Sequence, residues 1–160
     1  VSKGGFYHHF SSKEALFLEL LDLWLSHLDE ELRKIESSAS TVEEAIARMT
    51  DVAGYVIEQA EGNYGILFEF WSKARHEEKI WQGAVSYFER YRIFFMQVLK
   101  NGMEKGEFHL FDLELYAQMM VSLAVGVFLQ AVLDPKGLDW KSSLRRMIGI
   151  LLKELKRAQA

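Results

Sequence analysis

The chain has 160 residues, 49% hydrophobic and 26% charged, with 11 glycines, one proline and no cysteine. This is the composition of a globular domain, or of one domain with part of another. It excludes disulfides, thiolate metal sites and thiol catalysis, and the scarcity of proline favours helices over a turn-dense β fold. The net charge of −4 is uneven: residues 1–13 carry +2, residues 141–160 carry +5 and the stretch between them −11. Contact with a polyanion is therefore confined to a basic end. No charged start followed by an apolar run marks a signal peptide, and a cytoplasmic protein is expected.

Residues 1–10 read as a short helix. Ser2 can cap it, but Gly4 and Gly5 together cost about 2 kcal/mol relative to alanine. It must be held by tertiary contacts through Phe6 and Phe10, which share a face. Ser11-x-x-Glu14 is a capping box that opens the next helix. Leu18, Leu21, Leu25, Leu28, Leu32 and Ile35 then recur at three- and four-residue spacing to about Ser37, with Asp22, Asp29, Glu30 and Arg33 opposite. That is a helix of about 25 residues, roughly 37 Å long.

Ser37 to Ser40 is a break, and Ser40-x-x-Glu43 is a second capping box. Val42, Ala45, Ile46, Met49, Val52, Ala53, Val56, Ile57 and Ala60 continue as a helical stripe. Tyr64 to about Lys73 reads as a short aromatic helix. Residues 79–105 form a long one, with Trp81, Ala84, Val85, Phe88, Tyr91, Phe95, Val98 and Leu99 inward. Asn101-Gly102 and Gly106 end it. Asp112 starts an uncharged helix, Asp134 to Gly137 is a turn, and residues 139–158 form the last helix. The fold class is all-α.

Leu115 to Leu133 is nineteen residues without a charge, long enough to span a bilayer. Gln118, Ser122 and Gln130 interrupt it, and Glu114 and Asp134 flank it where bases would anchor a span. It reads as a helix buried on both sides, and no membrane is expected.

No metal, cofactor or catalytic residue is expected. His76-Glu77-Glu78-Lys79-Ile80 has isoleucine where the zinc motif needs its second histidine, and no nucleophile elbow or phosphate-cradling glycine loop occurs. Aromatics are more informative. Ten lie within the 32 residues from Tyr64 to Phe95, and aromatics line most small-molecule pockets. Phe68, Trp71, Phe88, Tyr91 and Phe95 could enclose an apolar cavity, with Glu69 or Arg92 as a polar contact; the alternative is a plain aromatic core. The last two helices carry more apolar surface than one side of a monomer needs. Ser122 and Gly126 permit close backbone approach, and with Leu144, Ile148, Leu151 and Leu155 they are expected to pair with a second copy.

The opening residues, Val-Ser-Lys-Gly-Gly-Phe-Tyr-His-His-Phe-Ser-Ser-Lys-Glu-Ala-Leu, resemble the end of the helix-turn-helix of TetR-family transcriptional regulators. The match falls on Val1, Ser2, Gly4, Phe6, Tyr7, His9, Phe10, Lys13 and Leu16. The resemblance implies that Val1–Phe10 is most of a recognition helix entering the major groove. Ser2, Lys3, Gly4, Gly5, Tyr7, His8 and Lys13 would then contact operator DNA, while Phe6 and Phe10 would pack the small domain. It implies three parts: residues 1–13 as the end of the DNA-binding domain, 14–38 as a connecting helix, and 39–160 as an effector-binding and dimerisation domain. The family's first two helices are not in these residues, so the 160 residues alone are not expected to bind operator. The implied function is a homodimeric repressor released from operator DNA by a small apolar or aromatic effector. The alternative is a helical ligand-binding or scaffold protein with no DNA role.

Overall fold

The computed structural model describes residues 13–59, 72, 76–109 and 112–156. The helix expected over residues 1–10 lies outside the described residues, as does nearly all of the one expected from Tyr64 to Lys73. Every regular element among the described residues is an α-helix: α1 (Lys13–Ser38), α2 (Val42–Gln59), α3 (Glu78–Glu104), α4 (Leu113–Leu133) and α5 (Trp140–Leu155).

The helix boundaries follow from local chemistry. α1 stops at the serine-rich break. The next capping box is displaced by one residue from the expected Ser40-x-x-Glu43. Thr41 Oγ1 accepts from the Glu44 N–H at 3.0 Å, and the Glu44 carboxylate accepts from the Ser40 N–H at 2.9 Å. The same helix start receives a second carboxylate from far along the chain: Glu107 accepts from the Val42 N–H at 2.7 Å and the Glu43 N–H at 3.2 Å. A negative charge there also meets the positive end of the helix dipole. Asp112 caps α4 by accepting from the Leu115 N–H at 3.0 Å, and Asp139 caps α5 by accepting from the Ser142 N–H at 2.9 Å.

α3 ends as glycine allows. Gly106 has φ +72°, which turns the chain so that the Glu107 N–H reaches the Gly102 carbonyl at 2.9 Å. Phe108, buried, then lies directly on Gly102, where an added Cβ would overlap the ring. Gly102→Ala is accordingly expected to displace Phe108 and cost about 1–3 kcal/mol. Thermal denaturation checks this, and an unchanged melting temperature would contradict the packing.

One core joins all five helices: Leu32 and Ile35 of α1, Ile46 and Met49 of α2, Val98 and Leu99 of α3, Met120 and Val127 of α4, and Leu144 and Leu152 of α5. α2 and α5 pack most extensively and run antiparallel. Three ion pairs tie them: Glu43–Lys156, Asp51–Arg145 and Glu58–Lys141. Gly54 lets the Lys141 stem lie across α2, since a Cβ there would fall 2.6 Å from Lys141 Cγ. Much of the basic charge of the C-terminal stretch is thus matched by acids of α2 within the fold.

The α5 stripe requires a correction. Leu144, Ile148 and Leu155, expected at an interface between copies, are buried in the chain's own core, Leu144 to 1% exposure. A side chain so enclosed has no surface left for a partner. Leu151 is half-buried against the same core. α4, apolar nearly all round, is asymmetric in its burial. Ala117, Met120, Val121, Val127, Ala131 and Val132 are buried, whereas Leu115, Met119 and Leu133 are exposed.

Candidate functional site

Asp22 and Asp29 are two turns apart on α1 and share a face. Tyr87, Arg90 and Tyr91 sit at i, i+3 and i+4 on α3 and also share one. The two faces meet through Arg90, whose guanidinium donates to the Asp29 carboxylate and lies 3.9 Å from that of Asp22. The Asp29 side chain is only 13% exposed, so this pair is stronger than an ion pair in open solvent. Burial, and then the charge of Asp22, raises the Tyr87 pKa above the ordinary tyrosine value. The Tyr91 pKa is pushed up to about 12, chiefly by burial; Arg90 opposes the shift and Tyr87 adds to it. The Tyr91 hydroxyl is fully buried and has no hydrogen-bond partner among the described residues. One turn on, the rings of Phe94 and Phe95 meet edge to face at 5.3 Å.

Between α1 and α3 runs a groove of about 490 Å³ that includes Leu32 and Phe94, with Arg33, Glu89 and the Asp29–Arg90 pair among its polar lining. None of the residues expected to form a pocket lines it. Ser86 and Ile93, which do, lie on the opposite side of α3 from Phe88 and Phe95. Of the expected pocket residues, Phe68, Glu69 and Trp71 lie outside the described residues. Tyr91 and Phe95 are half-buried and pack against the core. Phe88 is 44% exposed. Arg92 is engaged elsewhere, donating to Glu89 at 2.7 Å and to Glu114 at the start of α4. Asp22, Asp29, Tyr87 and Arg90 were not singled out by sequence, although the seven-residue spacing of the two aspartates was a signal.

Of the expected DNA contacts, Ser2, Lys3, Gly4, Gly5, Tyr7 and His8 lie outside the described residues, and Lys13 stands at the first position of α1. On α4, Ser122 is exposed, and nothing lies within 4 Å of where a Gly126 Cβ would be. Both sit on the side of α4 that carries Leu115, Met119 and Leu133. Met147 and Ile150 add exposed apolar surface on α5. No three His, Asp or Glu side chains converge as metal ligands among the described residues.

A long helix that leads out of the N-terminal segment and packs into a helical bundle defines the class of fold. A transcriptional regulator from Pseudomonas aeruginosa superposes with a TM-score of 0.80 at 21% identity, over 98% of this chain and 75% of that one. The fatty acid degradation regulator FadR from Bacillus halodurans gives 0.80 at 19%, over 99% and 81%. A TetR-family regulator from Agrobacterium tumefaciens gives 0.80 at 17%, over 98% and 82%. No curated protein matches the sequence. The model of the C-terminal part of BetI-type transcriptional repressors matches residues 56–157, more than half of the chain, and that of the tetR family of bacterial regulatory proteins matches residues 1–20. The chain belongs to the TetR family of DNA-binding transcriptional regulators.

Proposed function

We propose that this regulator is a cytoplasmic repressor that leaves its operator when a small, largely apolar effector binds among the helices spanning about residues 42–133. In this reading residues 1–13 hold the end of the DNA-binding domain, with Ser2, Lys3, Gly4, Gly5, Tyr7, His8 and Lys13 toward DNA. Residues 14–38 connect it to an effector-binding and dimerising body, residues 39–160. No catalysis is assigned to it.

The observation that carries the reading is the clasp between α1 and α3. α1 begins within the segment matched to the DNA-binding family model. Arg90 ties it to α3 beside the aromatic face of Tyr91 and Phe94, which pack against the core. A ligand that displaces α3 therefore also displaces α1, and with it the spacing of two reading heads that must fit half-sites about 34–36 Å apart. The ligand acts only through its differential affinity for the two arrangements. An apolar effector is in keeping with the aromatic face, and the Bacillus halodurans neighbour regulates fatty acid degradation.

In the same reading the second copy packs on the open side of α4. Ser122 and Gly126 allow close approach at its centre, and Leu115, Met119 and Leu133 supply apolar area around them, with Met147 and Ile150 on α5. α4 is long and apolar enough to cross a membrane. Its acidic ends, Glu114 and Asp134, and its packing between α3 and α5 favour a protein partner over lipid.

A reporter gene under the operator, with this chain joined to the family's first two helices and screened with aliphatic and aromatic compounds, tests the effector reading. Compounds that derepress the wild type are expected to lose at least about tenfold in potency with Phe88→Glu or Phe88→Lys, at a position exposed enough to carry a charge, while repression without compound persists. Unchanged induction in both variants counts against the pocket, and a wild type that never represses counts against the repressor role.

A further inference from the structure

Tyr91 holds the one buried side-chain polar atom without a hydrogen-bond partner among the described residues. Its ring packs against the core cluster. A phenylalanine would pack the same ring without stranding a hydroxyl away from water, which is costly unless a partner arrives. We propose that the Tyr91 hydroxyl is the hydrogen-bond anchor for the effector, and that the effector is an uncharged, largely apolar molecule bearing a carbonyl-type acceptor. The inference rests on reading the inner face of α3 as the effector site, and names the chemistry that site selects.

Two considerations fix the class. The first is the proton. With its pKa pushed up to about 12, the phenol stays protonated across the physiological range and offers its O–H, so the ligand must supply a lone pair. The second is charge. The cation beside Tyr91 is Arg90, which is already met by Asp29 and Asp22. An anionic head group entering here would be desolvated beside a guanidinium already committed to Asp29 and Asp22, and gains no free cation. A cationic head group can only donate to the phenol oxygen, which leaves the O–H unmet and sets the cation beside Arg90. A ketone, ester or amide carbonyl satisfies the hydroxyl without bringing a charge into an apolar site, and the rest of the molecule contacts hydrocarbon.

Three probes with the same phenylethyl body separate the possibilities: benzylacetone, which carries a ketone, butylbenzene, which carries no polar group, and hydrocinnamate, which carries a carboxylate. Each is titrated into the purified wild type and Tyr91→Phe, with calorimetry as the readout. Benzylacetone is expected to bind the wild type about tenfold more tightly than butylbenzene, and more tightly than hydrocinnamate. Tyr91→Phe is expected to erase the ketone's advantage and leave butylbenzene within about twofold of its wild-type affinity. The ligand-free melting temperature of Tyr91→Phe is expected at or above that of the wild type, which keeps a folding defect from imitating the result. Equal binding of benzylacetone and butylbenzene to both proteins overturns the anchor and leaves the apolar site standing. Tightest binding by hydrocinnamate overturns the uncharged class. Failure of all three probes to bind the wild type overturns the effector site itself, and the anchor with it.

Discussion

Arg90→Ala is expected to lower the melting temperature by about 4–8 °C and to blunt the response to effector more than it weakens operator binding. The temperature shift corresponds to roughly 2 kcal/mol at about 2–4 °C per kcal/mol for a chain of this size. Its cause is asymmetric. Removing the guanidinium strands the Asp29 carboxylate, which is largely enclosed, and an enclosed charge without its partner costs more than the pair ever contributed. Asp29→Ala strands Arg90 less severely, because the Arg90 side chain is 38% exposed and can turn to water. The double variant separates this from general damage. If the clasp acts as a unit, the two losses add to about 1 kcal/mol less than their sum. Arg90→Lys should recover only part of the loss, since an ammonium on a flexible stem does not reproduce the planar fork that reaches two carboxylates. Strict additivity, with an unchanged melting temperature for Arg90→Ala, would remove the clasp from the mechanism.

Ile150→Glu and Ile148→Glu, two residues apart on α5, are expected to fail in different ways. Ile150 is 68% exposed and Ile148 is buried. A carboxylate at 148 enters the core without a partner and prevents folding. At 150 it stays in water in the monomer and is desolvated only if a second copy closes over it. Ile150→Glu should therefore keep the helical signal and the melting behaviour of the protomer while weakening self-association by about 100-fold. Sedimentation velocity over a concentration series reads this directly. With the family's first two helices joined to the chain, operator affinity should fall with it, because a single reading head no longer has its neighbour at the adjacent half-site. A variant that sediments like the wild type places the interface elsewhere.

Helix existence was legible in the sequence wherever apolar spacing and a polar break coincided. The serine-rich stretch after Ile35 ends α1, Gly106 ends α3, and Asp112 and Asp139 open α4 and α5, because each carries its structural cause in its own side chain or backbone freedom. What a helical face packs against was less legible. Leu144, Ile148 and Leu155 form an apolar stripe whether the partner is α2 of the same chain or a second copy, and periodicity does not distinguish the two. On α4, Ser122 and Gly126 marked the side that is left open, but which methionine it carries was not legible: buried Met120 and exposed Met119 are the same residue type. The displaced capping box shows a finer limit. Ser40 and Thr41 can both cap, and the choice depends on where the preceding turn delivers the chain. In the α1–α3 clasp the spacing of the two aspartates was readable, but their partner was not. Asp29 and Arg90 are 61 positions apart, and nothing local to either marks the other. Arg92, by contrast, looked available as a polar contact for a pocket and is held by Glu89 and Glu114.

The carboxylate of Glu107 on the first turn of α2 has a bearing on how the chain assembles. Its acceptors serve amide groups 64 and 65 positions earlier, so that turn is not complete when α2 leaves the ribosome. Closing so long a loop is an entropic cost that the rest of the chain must meet first. α3 has to form and Gly106 has to turn the chain back before the carboxylate arrives. The start of α2 is therefore a late-forming part of a helix whose other end can form early, and the loop after α3 sets when it becomes fixed.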